Sequence, residues 1–328
     1  MESILEQTNK DWELVIFDNY STDGSWEYFN TFANHPQVRL YQAPKAGMYP
    51  NWNNCLRAAT GQYVHIATSD DTEKPNFQET LLNLLETYED CPLAYCRYER
   101  MDETGKIIPT HPDFMNSPTD TPCRRAAITE LVHGLALWPP WFTINSVVFR
   151  RDILDSAGFF PADMGPHGDT AWSWRAALAG DFLYSPEPLA QWRRHASQAT
   201  TQESNPTGFA RDHEVNAEAA WKFFREEDAR IPPQLKARPD WQRLILDYRY
   251  SYIREFGGLT RETLRRDFPT FKAAASWAWR FDRPWFMRQL LNGFGYPKDV
   301  FGRGLDKRDF MARAREAFRL PEQVPVGN

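Results

Sequence analysis

Short apolar runs that break off into acidic, turn-rich clusters recur through the first half of this chain. Glu13-Leu-Val-Ile-Phe17 runs into Asp18-Asn-Tyr-Ser-Thr-Asp-Gly-Ser25, and Gln62-Tyr-Val-His-Ile-Ala67 runs into Ser69-Asp70-Asp71. Such a run, bounded by polar residues, is the signature of a buried parallel strand. Val38–Tyr41 and Leu93–Tyr98 read the same way, with helical spacing at 2–8, Trp26–Phe32, Trp52–Ala59 and Asn76–Tyr88. Strands alternating with helices predict an α/β fold, a three-layer α/β/α sandwich on a mainly parallel sheet. One more strand (Val147–Phe149), helices at Asp152–Ala157 and Gly168–Ala179, and the Asp181–Trp192 segment follow. Beyond Ser204 the β pattern fades, and Ala210–Glu227, Trp241–Phe256 and Phe268–Asn292 carry helical spacing, with Pro232-Pro233 as a linker. The 328 residues therefore divide into an α/β domain over 1–204 and a helical region over 205–328.

The net charge of −6 is unevenly spread. Residues 1–234 hold 19 basic and 33 acidic side chains, whereas 235–328 hold 19 basic and 11 acidic, with 17 of the 48 aromatic residues. An acidic body with a basic, aromatic tail suggests contact with an anionic surface. Trp277, Trp279, Phe281, Trp285 and Phe286, interleaved with Arg280, Arg283 and Arg288, suit the interface of an anionic membrane. No nucleic-acid-binding module is recognisable, so nucleic acid is not expected as a partner. Four cysteines (Cys55, Cys91, Cys96, Cys123) make neither a disulfide framework nor a zinc pattern, and no run is apolar enough to span a bilayer. These features predict a cytoplasmic protein, peripheral on the inner face of the plasma membrane.

In open α/β sheets, ligands bind beyond the carboxyl ends of the strands. Asp18 stands at one such end and Asp70-Asp71 at another. Carboxylates there can hold a hard divalent cation, and adjacent ones repel unless something positive lies between them. Asp23 fits a turn cap better. Asp169, in His167-Gly168-Asp169 at the start of a helix, has the chemistry of a general base, though by itself it equally suits a helix N-terminus. Trp192-Arg193-Arg194-His195 offers cations and an imidazole for phosphate or metal, or a surface charge cluster. Trp138-Pro-Pro-Trp141-Phe142 is an aromatic patch that could stack on a sugar or pack the core, and Tyr49 and Trp52 flank Asn51 and Asn53.

In order and spacing, these elements resemble the family 2 glycosyltransferases, which have the nucleotide-diphospho-sugar transferase (GT-A) fold. Ser3-Ile-Leu-Glu-Gln-Thr8, Trp12–Ser25, Ala46–Asn53, Ala59–Val64, Ser69-Asp-Asp71, Gly168-Asp169 with Trp172, and Pro186-Glu-Pro-Leu189 to Trp192-Arg-Arg-His195 are similar to that family's motifs over about residues 2–200. The resemblance implies an inverting, metal-dependent hexosyl- or deoxyhexosyltransferase of surface-polysaccharide biosynthesis. It would move sugar from a nucleotide-diphospho-sugar donor to a glycan or lipid-linked acceptor. Asp18 would bind the nucleotide base with help from Lys45, and Asp70 and Arg193 would face ribose or phosphate. Asp71 with His195 would hold Mn²⁺ or Mg²⁺, and Asp169 would be the catalytic base. Trp138 and Trp141 are the acceptor candidates.

The chain departs from the pattern at Asn19, Thr68 and Gly168, where the family usually carries acids, and at its start. The family's first buried strand is missing. Either the chain begins after it, or another segment, or a second subunit in a homodimer, fills the gap. Sugar-phosphate nucleotidyltransferases share the general fold, but their Gly-rich opening loop is absent. A non-catalytic nucleotide- or glycan-binding protein of the same fold is the alternative reading.

Overall fold

The computed structural model describes residues 1–109, 119–136, 139–195, 206–243, 245–246, 249, 259, 261–291 and 307–326. The body runs α1 (Glu2–Leu5), β1 (Leu14–Asp18), α2 (Ser25–Asn30), β2 (Val38–Gln42), α3 (Met48–Ala58), β3 (Tyr63–His65), β4 (Thr72–Glu73), α4 (Phe77–Thr87), β5 (Leu93–Met101) and β6 (Ile107–Ile108). There follow β7 (Cys123–Arg125), α5 (Ala127–Ala136), β8 (Val147–Arg150), α6 (Ile153–Ala157), α7 (Gly168–Ala176) and β9 (Phe182–Arg193). The C-terminal region supplies α8 (Pro206–Glu226), α9 (Pro233–Lys236), α10 (Arg261–Arg266), α11 (Phe268–Phe281), α12 (Arg283–Leu291), α13 (Lys307–Phe318) and β10 (Val324–Pro325).

The α/β class and the helical C-terminal region are as the sequence predicts, but the strand pairing is mixed rather than mainly parallel. β1 pairs with β2 and β5 with β9 in parallel, while β8 lies antiparallel to β3 and β5, and β7 antiparallel to β9 and β10. The reason is connectivity. β8 enters the sheet from α5 and the Ile144–Ser146 turn, a route that periodicity along the chain cannot reveal. The sheet order is β10-β7-β9-β5-β8-β3, and β1-β2 forms a separate two-stranded sheet. Among the described residues β1 pairs only with β2 and β3 only with β8, so the run Leu14–Phe17 is half-buried rather than enclosed.

Glu13 bridges the two sheets. Its Oε1 accepts from the backbone N–H of Gly61 (2.9 Å) and from the Thr60 hydroxyl (2.9 Å), just ahead of β3. At the other end of β1, the Phe17 carbonyl accepts from Asn51 Nδ2 of α3 (2.9 Å). Helix α3 therefore runs back along β1, and β3 leaves its far end in the direction of β1. This places Asp18 beside the N-terminal turn of α3.

One apolar core joins body and tail. Tyr49, Trp172 and Phe182 of the body share a buried cluster with Ala217, Phe223, Trp277 and Ala314 of the C-terminal helices. Buried Arg249 donates to the carbonyls of Leu135 and Gly134, satisfying the end of α5. Trp141 is only 1% exposed and packs against Tyr95, Trp172 and Phe182, so its ring offers no face to a sugar. Trp138 lies outside the described residues. The single helix expected over Phe268–Asn292 is two, broken at Asp282. Pro284 has no N–H to donate and its ring would strike the preceding turn.

Candidate active site

The predicted residues fall into two groups. The first is organised by the N-terminal turn of α3. Asp18 is buried at the tip of β1, where its Oδ2 accepts from the backbone N–H of Ser21 (3.0 Å) and from Gln42 Nε2 (3.2 Å). Burial alone would raise its pKa, but the hydrogen bonds from Ser21, Gln42 and Tyr20 hold it below the usual carboxylate range. Asn19 donates both to the Ala43 carbonyl (3.1 Å) and to Asn51 Oδ1 (3.1 Å). An aspartate there would set a negative charge against two acceptors, so the amide is a structural requirement of this loop.

Two residues before Asn51, Tyr49 turns its hydroxyl to Asp169 Oδ1 (3.1 Å), which also accepts from the Thr170 N–H (2.8 Å). Asp169 Oδ2 accepts from no described residue. Its carboxyl is pushed up to about 6 because it is largely withdrawn from water, a rise that the Thr170 and Tyr49 hydrogen bonds only partly offset. The neighbouring Gly168 is explained by the same tyrosine. A Cβ on Gly168 would lie 2.6 Å from the Pro161 carbonyl oxygen and 2.7 Å from the Tyr49 ring, so no side chain fits there. The ring and the missing side chain are complementary, and together they bring the phenol onto the carboxylate.

The second group lies where β4 meets the end of β9. Asp71 Oδ1 accepts from the Arg193 backbone N–H (2.8 Å) and Oδ2 from the Thr68 hydroxyl (2.6 Å). Burial lifts its carboxyl to about 6, the bonds from Thr68 and Arg193 oppose the rise, and Asp70 and Glu73 add to it. Asp70 Oδ2 is 3.0 Å from His195 Nε2. Beneath them Glu73 is buried, accepting from Ser3 Oγ (2.8 Å) and Asn145 Nδ2 (3.3 Å) beside His65 Nε2 (3.1 Å), which pins β4. Arg193 is a strut. Its guanidinium donates to the carbonyls of Asp70 (2.7 Å), Asp102 (3.3 Å) and Glu103 (3.2 Å), tying the acidic turn to the end of β5. Lys45 is exposed on the loop before α3.

No set of three or more Asp, Glu, His or Cys side chains among the described residues is arranged as a metal cage. The donor chemistry of Asp70, Asp71 and His195 still suits a hard cation that takes its other ligands from a diphosphate. The raised Asp71 carboxyl marks a buried acid beside two others, a field that a cation would relieve. The sequence does not reveal Tyr49, Thr68 and Gln42 as partners of these acids. Tyr49 and Asp169 are 120 positions apart, so only folding reveals their pairing.

Residues 1–138 match the family model described as glycosyl transferase family 2. The match covers the N-terminal part of the 328-residue chain. Among its relatives is the uncharacterized glycosyltransferase YibD of Escherichia coli K12, 36% identical over 115 residues, covering 34% of this chain and 33% of that protein. The E. coli chondroitin synthase is 33% identical over 111 residues, or 33% of this chain and 16% of the synthase. The matches span 33%, 43% and 64% of the first three curated relatives. By structure the chain is similar to S. aureus TarS 1–349 in complex with UDP-GlcNAc (TM-score 0.60, 14% identity, 97% of this chain and 86% of that one). It is also similar to the mannosyltransferase PcManGT of Pyrobaculum calidifontis in complex with GDP-Man and Mn²⁺ (TM-score 0.51, 20% identity, 97% and 80%). At these identities the structural likeness speaks for the fold alone.

Proposed function

We propose that this chain is an inverting family 2 glycosyltransferase that moves a hexose or deoxyhexose from a nucleotide-diphospho-sugar to a hydroxyl of a glycan or lipid-linked acceptor, in surface-polysaccharide assembly on the cytoplasmic side. The observation that carries this reading is Asp169. One of its oxygens is anchored by Tyr49 and Thr170, the other accepts from no described residue, and its carboxyl at about 6 is ionised at neutral pH yet basic enough to accept a proton. The acceptor oxygen attacks the anomeric carbon while the bond to the diphosphate oxygen breaks, its electron pair leaving with the nucleoside diphosphate. The hydroxyl proton passes to Asp169 Oδ2, and a single displacement inverts the centre. Asp18 would receive the base. Asp71, with Asp70 and His195, would hold Mn²⁺ or Mg²⁺, which when bound neutralises leaving-group charge.

Relatives named as polysaccharide synthases and the nucleotide-sugar complexes of TarS and PcManGT support the substrate class. The test is a screen of nucleotide-sugars with and without Mn²⁺, following thermal shift and nucleoside diphosphate release. Wild type should release diphosphate, Asp169→Asn should bind donor without transfer, and Asp71→Ala should lose its metal response. Donor binding without turnover in wild type, over a range of acceptors, would instead establish the non-catalytic binding protein. Equal loss of donor binding and transfer in Asp169→Asn would make that residue structural.

A further inference from the structure

Helices α11 and α12, which meet at Asp282, have two unlike faces. On α11, Phe271, Ala274, Trp277 and Ala278 are buried, and Trp277 Nε1 donates to Glu218 of α8 (2.9 Å). The opposite stripe is Phe268, Lys272, Ala275 and Trp279, at i, i+4, i+7 and i+11. Phe268 is 58% and Trp279 44% exposed. On α12 Trp285 is buried, whereas Met287, Leu290 and Leu291, at i, i+4 spacing or closer, stand out, Leu291 being 81% exposed. The two outer faces meet. Trp279 contacts Phe286 edge-on at 6.0 Å, and the Arg283 guanidinium lies 5.1 Å over the Trp279 ring.

This apolar face is set in positive charge. Residues 261–291 carry seven basic and three acidic side chains, on a molecule whose net charge is −6. Of the acids, Asp282 is buried and paired with Arg243 (2.6 Å), and Glu262 is paired with Arg266 (2.8 Å). Lys272 and Arg280 are exposed on α11. Six of the 13 exposed large hydrophobic side chains of the described residues fall within these 31 positions. A cation-rimmed stripe of Trp, Phe and Leu on short helices fits the boundary between headgroups and acyl chains, where the aromatic and aliphatic groups enter and the cations stay at the phosphates. Among the described residues no helix is long and apolar enough to cross a membrane.

We propose that the outer face of α11 and α12 docks this protein in-plane on an anionic lipid bilayer, with Phe268, Trp279 and Leu291 inserted and Lys272 and Arg280 at the phosphates. The docking is independent of the transferase reading, because none of these residues belongs to the proposed active site. Each such cation strengthens partitioning to an anionic surface about fivefold.

The full chain is sedimented with vesicles of phosphatidylcholine alone and of equimolar phosphatidylcholine and phosphatidylglycerol, at low and high salt. It should pellet only with the anionic vesicles, and less at high salt. Lys272→Gln with Arg280→Gln should weaken partitioning roughly 30-fold, and Trp279→Ser with Leu291→Ser should abolish it. Both pairs are exposed, so circular dichroism should be unchanged. Asp169→Asn should pellet like wild type even though it transfers no sugar, which separates this proposal from the catalytic one. A full chain left in the supernatant, equal binding to neutral vesicles, or an apolar pair that pellets like wild type would overturn it. So would light scattering that finds a dimer dissolved by Trp279→Ser with Leu291→Ser, since the face would then bind a second copy of this chain.

Discussion

Replacing Tyr49 by Phe removes one oxygen from a buried ring and, with it, one of the two hydrogen bonds on Asp169 Oδ1. A hydrogen bond to a charged group is worth about 1.5–3 kcal/mol, and the lower end is taken because the Thr170 N–H still holds the same oxygen after the change. Dividing by 1.36 kcal/mol per pKa unit gives a rise of roughly one unit, from about 6 to about 7. The direction follows from the charge, since the phenol stabilises the ionised acid and its loss favours the protonated one. At pH 7 the ionised fraction would fall from about nine-tenths to about one half, at pH 6 from about one half to roughly a tenth, and above pH 8.5 hardly at all. The initial rate of transfer should therefore drop about twofold at pH 7, roughly fivefold or more at pH 6, and recover in alkali, with the acid limb of the profile displaced by about one unit. Donor affinity should not change. The assay is nucleoside diphosphate release against pH at saturating donor and acceptor. An unmoved acid limb would refute the account of Asp169 as a base tuned by Tyr49. A pH-independent loss would assign Tyr49 to orientation alone.

The other expectations concern Gly168 and Asn19, two of the positions where this chain departs from the family 2 pattern. Gly168→Ala should destabilise the fold by about 2 kcal/mol or more in urea unfolding, because the added Cβ meets both the Tyr49 ring and the fixed Pro161 carbonyl. Pairing it with Tyr49→Ala should recover only part of the loss, since the carbonyl remains, and full recovery would contradict the geometry. Asn19→Asp should cost about 1–3 kcal/mol by facing the Ala43 carbonyl and Asn51 Oδ1 with a charge, and the loss should shrink below pH 4, where the new acid is protonated. A stability equal to wild type at pH 7 would show that Asn19 is not the donor holding this loop.

The order of elements was readable because it rests on local physics. Apolar runs that end in Asp18 and Asp70-Asp71, and helices spaced at 3.6 residues, need no knowledge of what they touch. The class of the fold and Asp18 at the tip of β1 follow from that pattern, whereas β3 ends at His65 and Asp70-Asp71 lie immediately before β4. The sequence misled where partners lie far apart. Arg193 reads as a phosphate ligand but spends its guanidinium on the carbonyls of Asp70, Asp102 and Glu103. Trp141 reads as a sugar platform but is enclosed by Tyr95, Trp172 and Phe182.

By itself, then, the amino-acid order determined which segments become strands and helices, and which carry acids at their tips, because backbone preference and amphipathic spacing act within a few residues. Only the tertiary structure decided that β8 would run antiparallel to β3 and β5, that Tyr49 would hold Asp169 and exclude any side chain from position 168, and that α11 and α12 would turn an apolar, cationic face outward. Those outcomes depend on which distant surfaces close on one another, and packing between positions 120 apart leaves no trace in local periodicity.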